Sequence, residues 1–208
     1  MVLRSDTPSV AFVTLGCAKN EVDTAHMKAR LAEAGFALED DPAAADAVVV
    51  NTCSFIQSAT EESLEAVFDV AGLPNVAKGA ALIVAGCMPA RYGDDLAGEL
   101  TEARAFVPCS REDDIAQVLV DALGLGEEPA ASNCFDTVEA VCAKQAASAS
   151  VSAYVKISDG CDRFCSFCTI PYIRGRYRSF AYEDVRAEVA GLVAGGVREI
   201  VLIAQDTG

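Results

Sequence analysis

Short apolar runs and amphipathic stretches alternate through the first 125 residues. The runs at 10–15, 47–50, 81–85 and 105–107 consist mainly of Val, Leu, Ile and Ala and are too short for helices, which predicts strands. Helical spacing fills the gaps. It covers 21–34, with Ala25, Leu31 and Ala32 on one side and Gly35 as a stop, and 56–71, stopped by Gly72 and Pro74. A third helix opens at Pro89 and runs toward residue 100, and a fourth opens on a Ser110-Arg111-Glu112-Asp113 capping box and runs toward residue 123. This alternation predicts an α/β fold with an open parallel sheet. At 126–150 the rhythm stops: Gly, Glu, Pro, Ala and Ser dominate, and a linker is expected. Beyond it, a strand at 151–157, a helix at 182–194 and a strand at 199–204 form one βαβ unit, the opening of a parallel barrel. The expected division is therefore 1–125, 126–150 and 151–208.

Composition narrows the setting. With 52% hydrophobic residues in 208, the chain can bury one or two cores. No apolar run reaches the roughly 18–20 residues that a membrane helix needs. Met1 to Asp6 carries no signal-peptide core, so the nine cysteines read as thiols and metal ligands of a cytoplasmic protein. The net charge of −15 is uneven: −12 over residues 1–125, −3 over 126–150 and zero over 151–208. The acidic first part disfavours nucleic-acid binding there and suits a basic protein partner, although an acidic surface also serves solubility alone.

The cysteines carry the chemistry. Cys161, Cys165 and Cys168 stand in a C-x3-C-x2-C spacing directly after the strand at 151–157. Thiols this close leave too little loop for separate disulfides and suit a soft metal centre. Structural zinc wants four closed ligands, yet His26 is the only histidine and no second short Cys pair exists. His26 itself reads as a partly exposed surface residue. An iron–sulfur cluster takes one thiolate per iron, so three leave one iron open for a reactant. In the first part, three strands each end in a cysteine: Cys17, Cys53 and Cys87. In an open parallel sheet these ends share one edge, so the three thiols are expected to converge there, with Gly16 and Gly86 turning the backbone tightly beneath them. The competing reading is small buried thiols used as core hydrophobes. Cys109, Cys134 and Cys142 follow no expected strand and read as ordinary thiols.

The run Gly160-Cys161 through Cys165-Ser166-Phe167-Cys168 resembles the radical S-adenosylmethionine (SAM) signature. With Thr169-Ile170-Pro171-Tyr172-Ile173-Arg174-Gly175-Arg176-Tyr177-Arg178-Ser179 behind it, the run resembles the methylthiotransferase branch of that superfamily. Leu15-Gly16-Cys17-Ala18-Lys19-Asn20-Glu21-Val22-Asp23, Asn51-Thr52-Cys53-Ser54-Phe55-Ile56 and Ala204-Gln205-Asp206-Thr207 resemble its ribosomal-protein-modifying (RimO-type) branch. The tRNA-modifying (MiaB-type) branch more often has Gln-Met-Asn after the first Cys. Phe180, and Thr24-Ala25-His26, depart from the family pattern without touching a ligand.

The resemblance implies two 4Fe-4S clusters and SAM as cofactors. Cys161, Cys165 and Cys168 would hold the SAM-cleaving cluster, and Cys17, Cys53 and Cys87 an auxiliary one. Phe167, Gln205 and Asp206 would bind the cofactor, with a polar turn as the alternative for the last two. Arg174, Arg176 and Arg178 would meet a carboxylate of SAM or substrate, or else form a solvated basic strand. The implied reaction adds a methylthio group to the β-carbon of an aspartate in small-subunit ribosomal protein twelve, with a flavodoxin- or ferredoxin-type electron donor. On this reading 1–125 is the methylthiotransferase domain and 151–208 an incomplete radical SAM core, inactive alone. The alternatives are a tRNA adenosine methylthiotransferase and a non-catalytic iron–sulfur module.

Overall fold

The computed structural model describes residues 7–126 and 151–207. The expected linker, with Cys134 and Cys142, lies almost wholly outside the described residues. The first unit holds strands β1 (Ser9–Thr14), β2 (Ala37–Leu38), β3 (Ala47–Thr52), β4 (Ala81–Gly86) and β5 (Ala105–Pro108). Its helices are α1 (Ala18–Glu33), α2 (Gln57–Ala71), α3 (Pro74–Ala77), α4 (Cys87–Tyr92), α5 (Asp94–Glu99) and α6 (Ile115–Leu123). The strands form one wholly parallel sheet in the order β2-β1-β3-β4-β5.

Every position of β3 and β4 is buried, because alternate residues feed two different cores. Val49, Ile83 and Val107 pack with Met27 and Leu31 of α1 and Ile115 and Leu119 of α6. Val48, Val50, Leu82 and Val84 pack with Val67 and Val70 of α2, Met88 of α4 and Leu96 of α5. Helices thus cover both faces, which is why the central strands read as continuous apolar runs. The strand order reverses between β1 and β3, and in such sheets the crevice at the carboxyl ends near that reversal is where ligands bind.

Three boundaries differ from expectation for local reasons. Cys17 is the N-cap of α1, so that helix starts three residues early, inside the cysteine motif. The helix expected from Pro89 starts at Cys87 and breaks at Gly93, whose φ of +54° and ψ of −132° no α-helix can contain. Ser110 caps nothing: a 3-10 helix, Cys109–Asp114, follows β5 directly and delays α6 to Ile115.

The second unit pairs β6 (Ser152–Lys156) with β9 (Glu199–Ile203) in parallel through helix α8 (Tyr182–Ala194), as expected for βαβ. Its core is Val155, Leu192 and Val197. A short antiparallel pair, β7 (Ser158–Asp159) with β8 (Arg178–Ser179), and helix α7 (Ile170–Ile173) frame the three-cysteine loop. The units meet where α1 lies beside β6 and α4 beside α7.

Candidate functional site

Sheet register sets the first group of thiols. Thr52 pairs with Gly86, and Gly86 with Pro108, so the residues that follow (Cys53, Cys87 and Cys109) leave three neighbouring strands at one level. Cys17 approaches from β1, on the other side of Cys53. Gly16 takes φ +96°, and a Cβ there would lie 2.5 Å from Cys53 Cβ and 3.0 Å from its sulfur. The Cys17 and Cys53 backbones approach closely only because residue 16 is Gly. Cys53 and Cys87 are buried, Cys109 is half-buried and Cys17 is exposed. Cys109 Sγ sits 4.0 Å from Cys87 Sγ. Cys109 follows no strand if the fourth ends at Val107, but β5 extends to Pro108, so Cys109 leaves the sheet as Cys53 and Cys87 do. The run Ala105-Phe106-Val107-Pro108 was the available signal.

Beneath the thiols lies a closed polar network. Asn51 Nδ2 donates to the Asn20 carbonyl oxygen at 3.0 Å and to Thr24 Oγ1 at 2.9 Å. Asn20 Nδ2 donates to Asn51 Oδ1 at 3.2 Å and to the Thr52 carbonyl at 2.9 Å. Cys53 N–H donates to Ser63 Oγ at 3.0 Å. Each partner is buried and satisfied, which fixes the ends of β1, β3 and β4 relative to one another.

The thiols share an uneven charge. Donors from Cys109 and Cys53 hold the Cys87 thiol down to about 2, against the cost of burial, and Arg174 adds to that effect. The same hydrogen bonds, together with burial, push the Cys53 and Cys109 thiols up. Arg174 Nη2 stands 3.6 Å from Cys87 Sγ. Lys19 Nζ, two residues after Cys17, is buried with no hydrogen-bond partner, and burial lowers its pKa. Among the described residues, no three ligating side chains are already arranged as a metal cage. The donor types nevertheless suit an anionic group: thiols at one sheet edge, a guanidinium against Cys87 and an ammonium that lacks an acceptor.

Cys161, Cys165 and Cys168 all belong to the loop between β7 and α7. Cys161 N–H donates to the Gly175 carbonyl at 3.1 Å, and Cys168 N–H to the Cys165 carbonyl at 3.0 Å. Phe164 takes φ +47°, the one non-glycine residue among those described with positive φ, and turns the loop between the first two thiols. Phe167 is 90% exposed. Asp206 accepts from Arg163 Nε at 2.7 Å, and its carbonyl accepts from Ser158 Oγ at 2.7 Å. Gln205 Oε1 is buried without a partner.

The three arginines do not act alike. Arg176 and Arg178 are exposed and lie over Phe164 and Phe180. Arg174 is buried, and its guanidinium is spent inside the protein: Nη1 donates to Asp23 Oδ2 at 2.7 Å and Nη2 to Asn20 Oδ1 at 3.2 Å. It therefore offers no fork to an outside carboxylate. Lys156 pairs with the other oxygen of Asp23, so one carboxylate of α1 joins both halves of the chain. His26, 38% exposed, lies 3.7 Å from Glu188 Oε1 of α8, as expected of a surface residue.

Residues 9–108, the span from β1 to β5, match the family described as "Uncharacterized protein family UPF0004". These residues form a UPF0004 domain. Over 201 residues the chain is 41% identical to a ribosomal protein uS12 methylthiotransferase RimO of Desulforamulus reducens, covering 96% of this chain and 45% of that protein. Proteins of the same name from Anaeromyxobacter sp. and Geobacter sulfurreducens are 42% and 40% identical over 204 and 198 residues, covering 96% and 95% of this chain and 42% and 44% of theirs. Along nearly its whole length the chain is thus similar to RimO-type methylthiotransferases. It spans less than half the length of these relatives.

Proposed function

We propose that this chain carries the two cofactor-binding elements of a radical SAM methylthiotransferase acting on ribosomal protein uS12. What supports the reading is the position of Cys17, Cys53 and Cys87 just after the neighbouring parallel strands β1, β3 and β4, in a unit that packs through α1 and α4 on the one bearing Cys161, Cys165 and Cys168. Cys161, Cys165 and Cys168 hold one 4Fe-4S cluster and SAM, Cys17, Cys53 and Cys87 hold another, and β6-α8-β9 is the start of the barrel around them. When bound, these groups supply one-electron cleavage of SAM and a sulfur to transfer, chemistry that removes a hydrogen from the unactivated aspartate β-carbon as no side chain can.

The residues of the chain position and exclude. Gly160, at φ +72°, lets the loop backbone pass against Arg176, where a Cβ would lie 2.1 Å from a carbonyl oxygen. Asp23 fixes Lys156 and Arg174, and Arg174 in turn holds Cys87 and the two thiol groups in one frame. The free Gln205 oxygen is the acceptor available to the SAM ammonium, since Asp206 is engaged by Arg163. The unpartnered Lys19 ammonium lies near Cys17.

The test separates the two thiol groups in the whole protein. Cys165→Ala should abolish 5′-deoxyadenosine formation. Cys53→Ala should spare it while ending the methylthio mass gain on uS12. Undiminished deoxyadenosine in the first variant, or undiminished modification in the second, ends the assignment. A modified nucleoside in digested tRNA with unmodified uS12 would move the substrate to RNA.

A further inference from the structure

The carboxyl edge of the sheet carries one thiol more than the function above uses. Gly86 of β4 pairs in register with Pro108 of β5, so Cys87 and Cys109, the next residues along, leave neighbouring strands side by side. Their sulfurs lie 4.0 Å apart in a thiol–thiol hydrogen bond. Neither residue belongs to the three apolar clusters, as thiols used only as core filler would. Cys87 is buried, but Cys109 follows the sheet's edge strand and is only half-buried, which gives a small reagent a way to the pair. A disulfide joins Cα atoms roughly 4.4–6.8 Å apart, and neighbouring strands stand about 4.7–4.9 Å apart, so residues that leave paired positions are within its span. The sulfurs have only to close to about 2.05 Å, a matter of side-chain rotation. Cys53 also donates to Cys87. Its side chain, however, packs over Gly16 toward β1, where a Cβ on the glycine would lie 3.0 Å from the Cys53 sulfur.

We infer that Cys87 and Cys109 are a site of reversible oxidation, closing to a disulfide when the iron-free protein meets hydrogen peroxide. One of the two sulfurs attacks a peroxide oxygen, the O–O bond breaks, and a sulfenic acid and one water result. The sulfur of the other residue then attacks the sulfenic sulfur, the S–O bond breaks, and the hydroxide leaves with the thiol proton as a second water. Two thiols and one peroxide become one disulfide and two waters, the sulfurs giving up two electrons and the peroxide oxygens taking them. The bond pins the exits of β4 and β5 together across 22 residues. It also keeps both sulfurs from the irreversible sulfinic stage, since the partner thiol consumes the sulfenic acid first. A thiol reductant reopens the pair. Because Cys87 is also assigned to the proposed sheet-edge centre, disulfide and centre exclude each other. That consequence alone rests on the function proposed above.

The test uses the whole protein, freed of iron by a chelator under nitrogen and then given a few equivalents of hydrogen peroxide. Remaining thiols are capped with N-ethylmaleimide, and the protein is digested without reductant. Mass spectrometry should find the peptide of Cys87 joined to that of Cys109, two hydrogens lighter than the two thiol peptides together. Capping at both residues should fall at least about fivefold after peroxide and return once dithiothreitol has been added before the cap. No substitution is needed, so the result does not depend on how a variant folds. Equal capping of Cys87 and Cys109 with and without peroxide overturns the inference. So does a Cys87 peptide joined to that of Cys53 rather than Cys109, or a loss of capping that dithiothreitol does not reverse. The readout requires no iron. Its failure therefore leaves the proposed centre standing, and a protein that binds no iron at Cys17, Cys53 and Cys87 leaves the disulfide standing.

Discussion

At Gly86 the backbone takes φ +92°, and a Cβ built there would lie 2.2 Å from Asn51 Oδ1 and 2.7 Å from the Thr52 carbonyl oxygen. Both atoms belong to the buried network that ties β3 to α1, so neither can retreat without giving up a hydrogen bond. Gly86→Ala should therefore destabilise the first unit by about 2–4 kcal/mol, strain and overpacking together, read as a lower urea midpoint with an unchanged slope. At this scale the sequence was informative where a residue type admits few uses. Gly16 and Gly86 were expected to turn tightly, and both do. Cys109 was hidden by Pro108, a residue that argues against a strand except at a sheet edge, and edge position is a property of the whole sheet. Asn20 and Asn51 look like ordinary turn residues in sequence. Only the meeting of α1 with β3 makes them buried partners of each other.

Elements obey the same division between local and distant causes. Strands β1, β3 and β4, and the helix α2, were legible because a strand covered on both faces is an uninterrupted apolar run and a long amphipathic helix repeats. The break at Gly93 and the 3-10 turn before α6 were not, since each depends on how the chain must leave the sheet edge. The loop between β7 and α7 is the element most tightly bound to one backbone contact. A Cβ at Gly160 would lie 2.1 Å from the Arg176 carbonyl oxygen and 2.7 Å from that of Gly175, while Cys161 N–H already donates to Gly175. Gly160→Ala must push β8 and its flanking turn away from the cysteines. If the proposed centres are present, the variant of the reconstituted whole protein should lose the iron assigned to Cys161, Cys165 and Cys168 and retain that assigned to the sheet edge. Iron content and deoxyadenosine formation check this, and full retention of both would remove the loop's dependence on that contact.

Across the whole molecule, the two halves are locked by charges far apart along the chain: Asp23 lies 133 residues before Lys156 and 151 before Arg174. Burial alone would raise the Asp23 carboxyl, but Lys156 and Arg174 outweigh it and hold the group below its usual range. A depressed carboxyl contributes stability above its unfolded pKa of about 3.9 and loses that contribution as pH falls through the folded value. Lys156 is lowered by burial and raised further by Asp23, with a net upward shift, so its share is complete below about 10.4 and is lost as pH rises through its folded value. Glu112 runs the other way. Burial and the nearby Asp23 push its carboxyl well up, and its Oε1 has no partner. Its unfolded form ionises near about 4.3 and the folded form only at higher pH, so stability falls as pH rises between the two. The stability curve should thus climb from strong acid to roughly pH 4 and then decline toward neutrality. Glu112→Gln, which cannot ionise, should flatten the decline and raise the urea midpoint at pH 7, leaving the acid limb set by Asp23 in place. Asp23→Asn should remove that acid limb and, by stranding two buried cations, cost about 3–5 kcal/mol at pH 7. A Glu112→Gln protein with the parent's pH profile would mean that Glu112 is not ionised differently in the folded and unfolded chain.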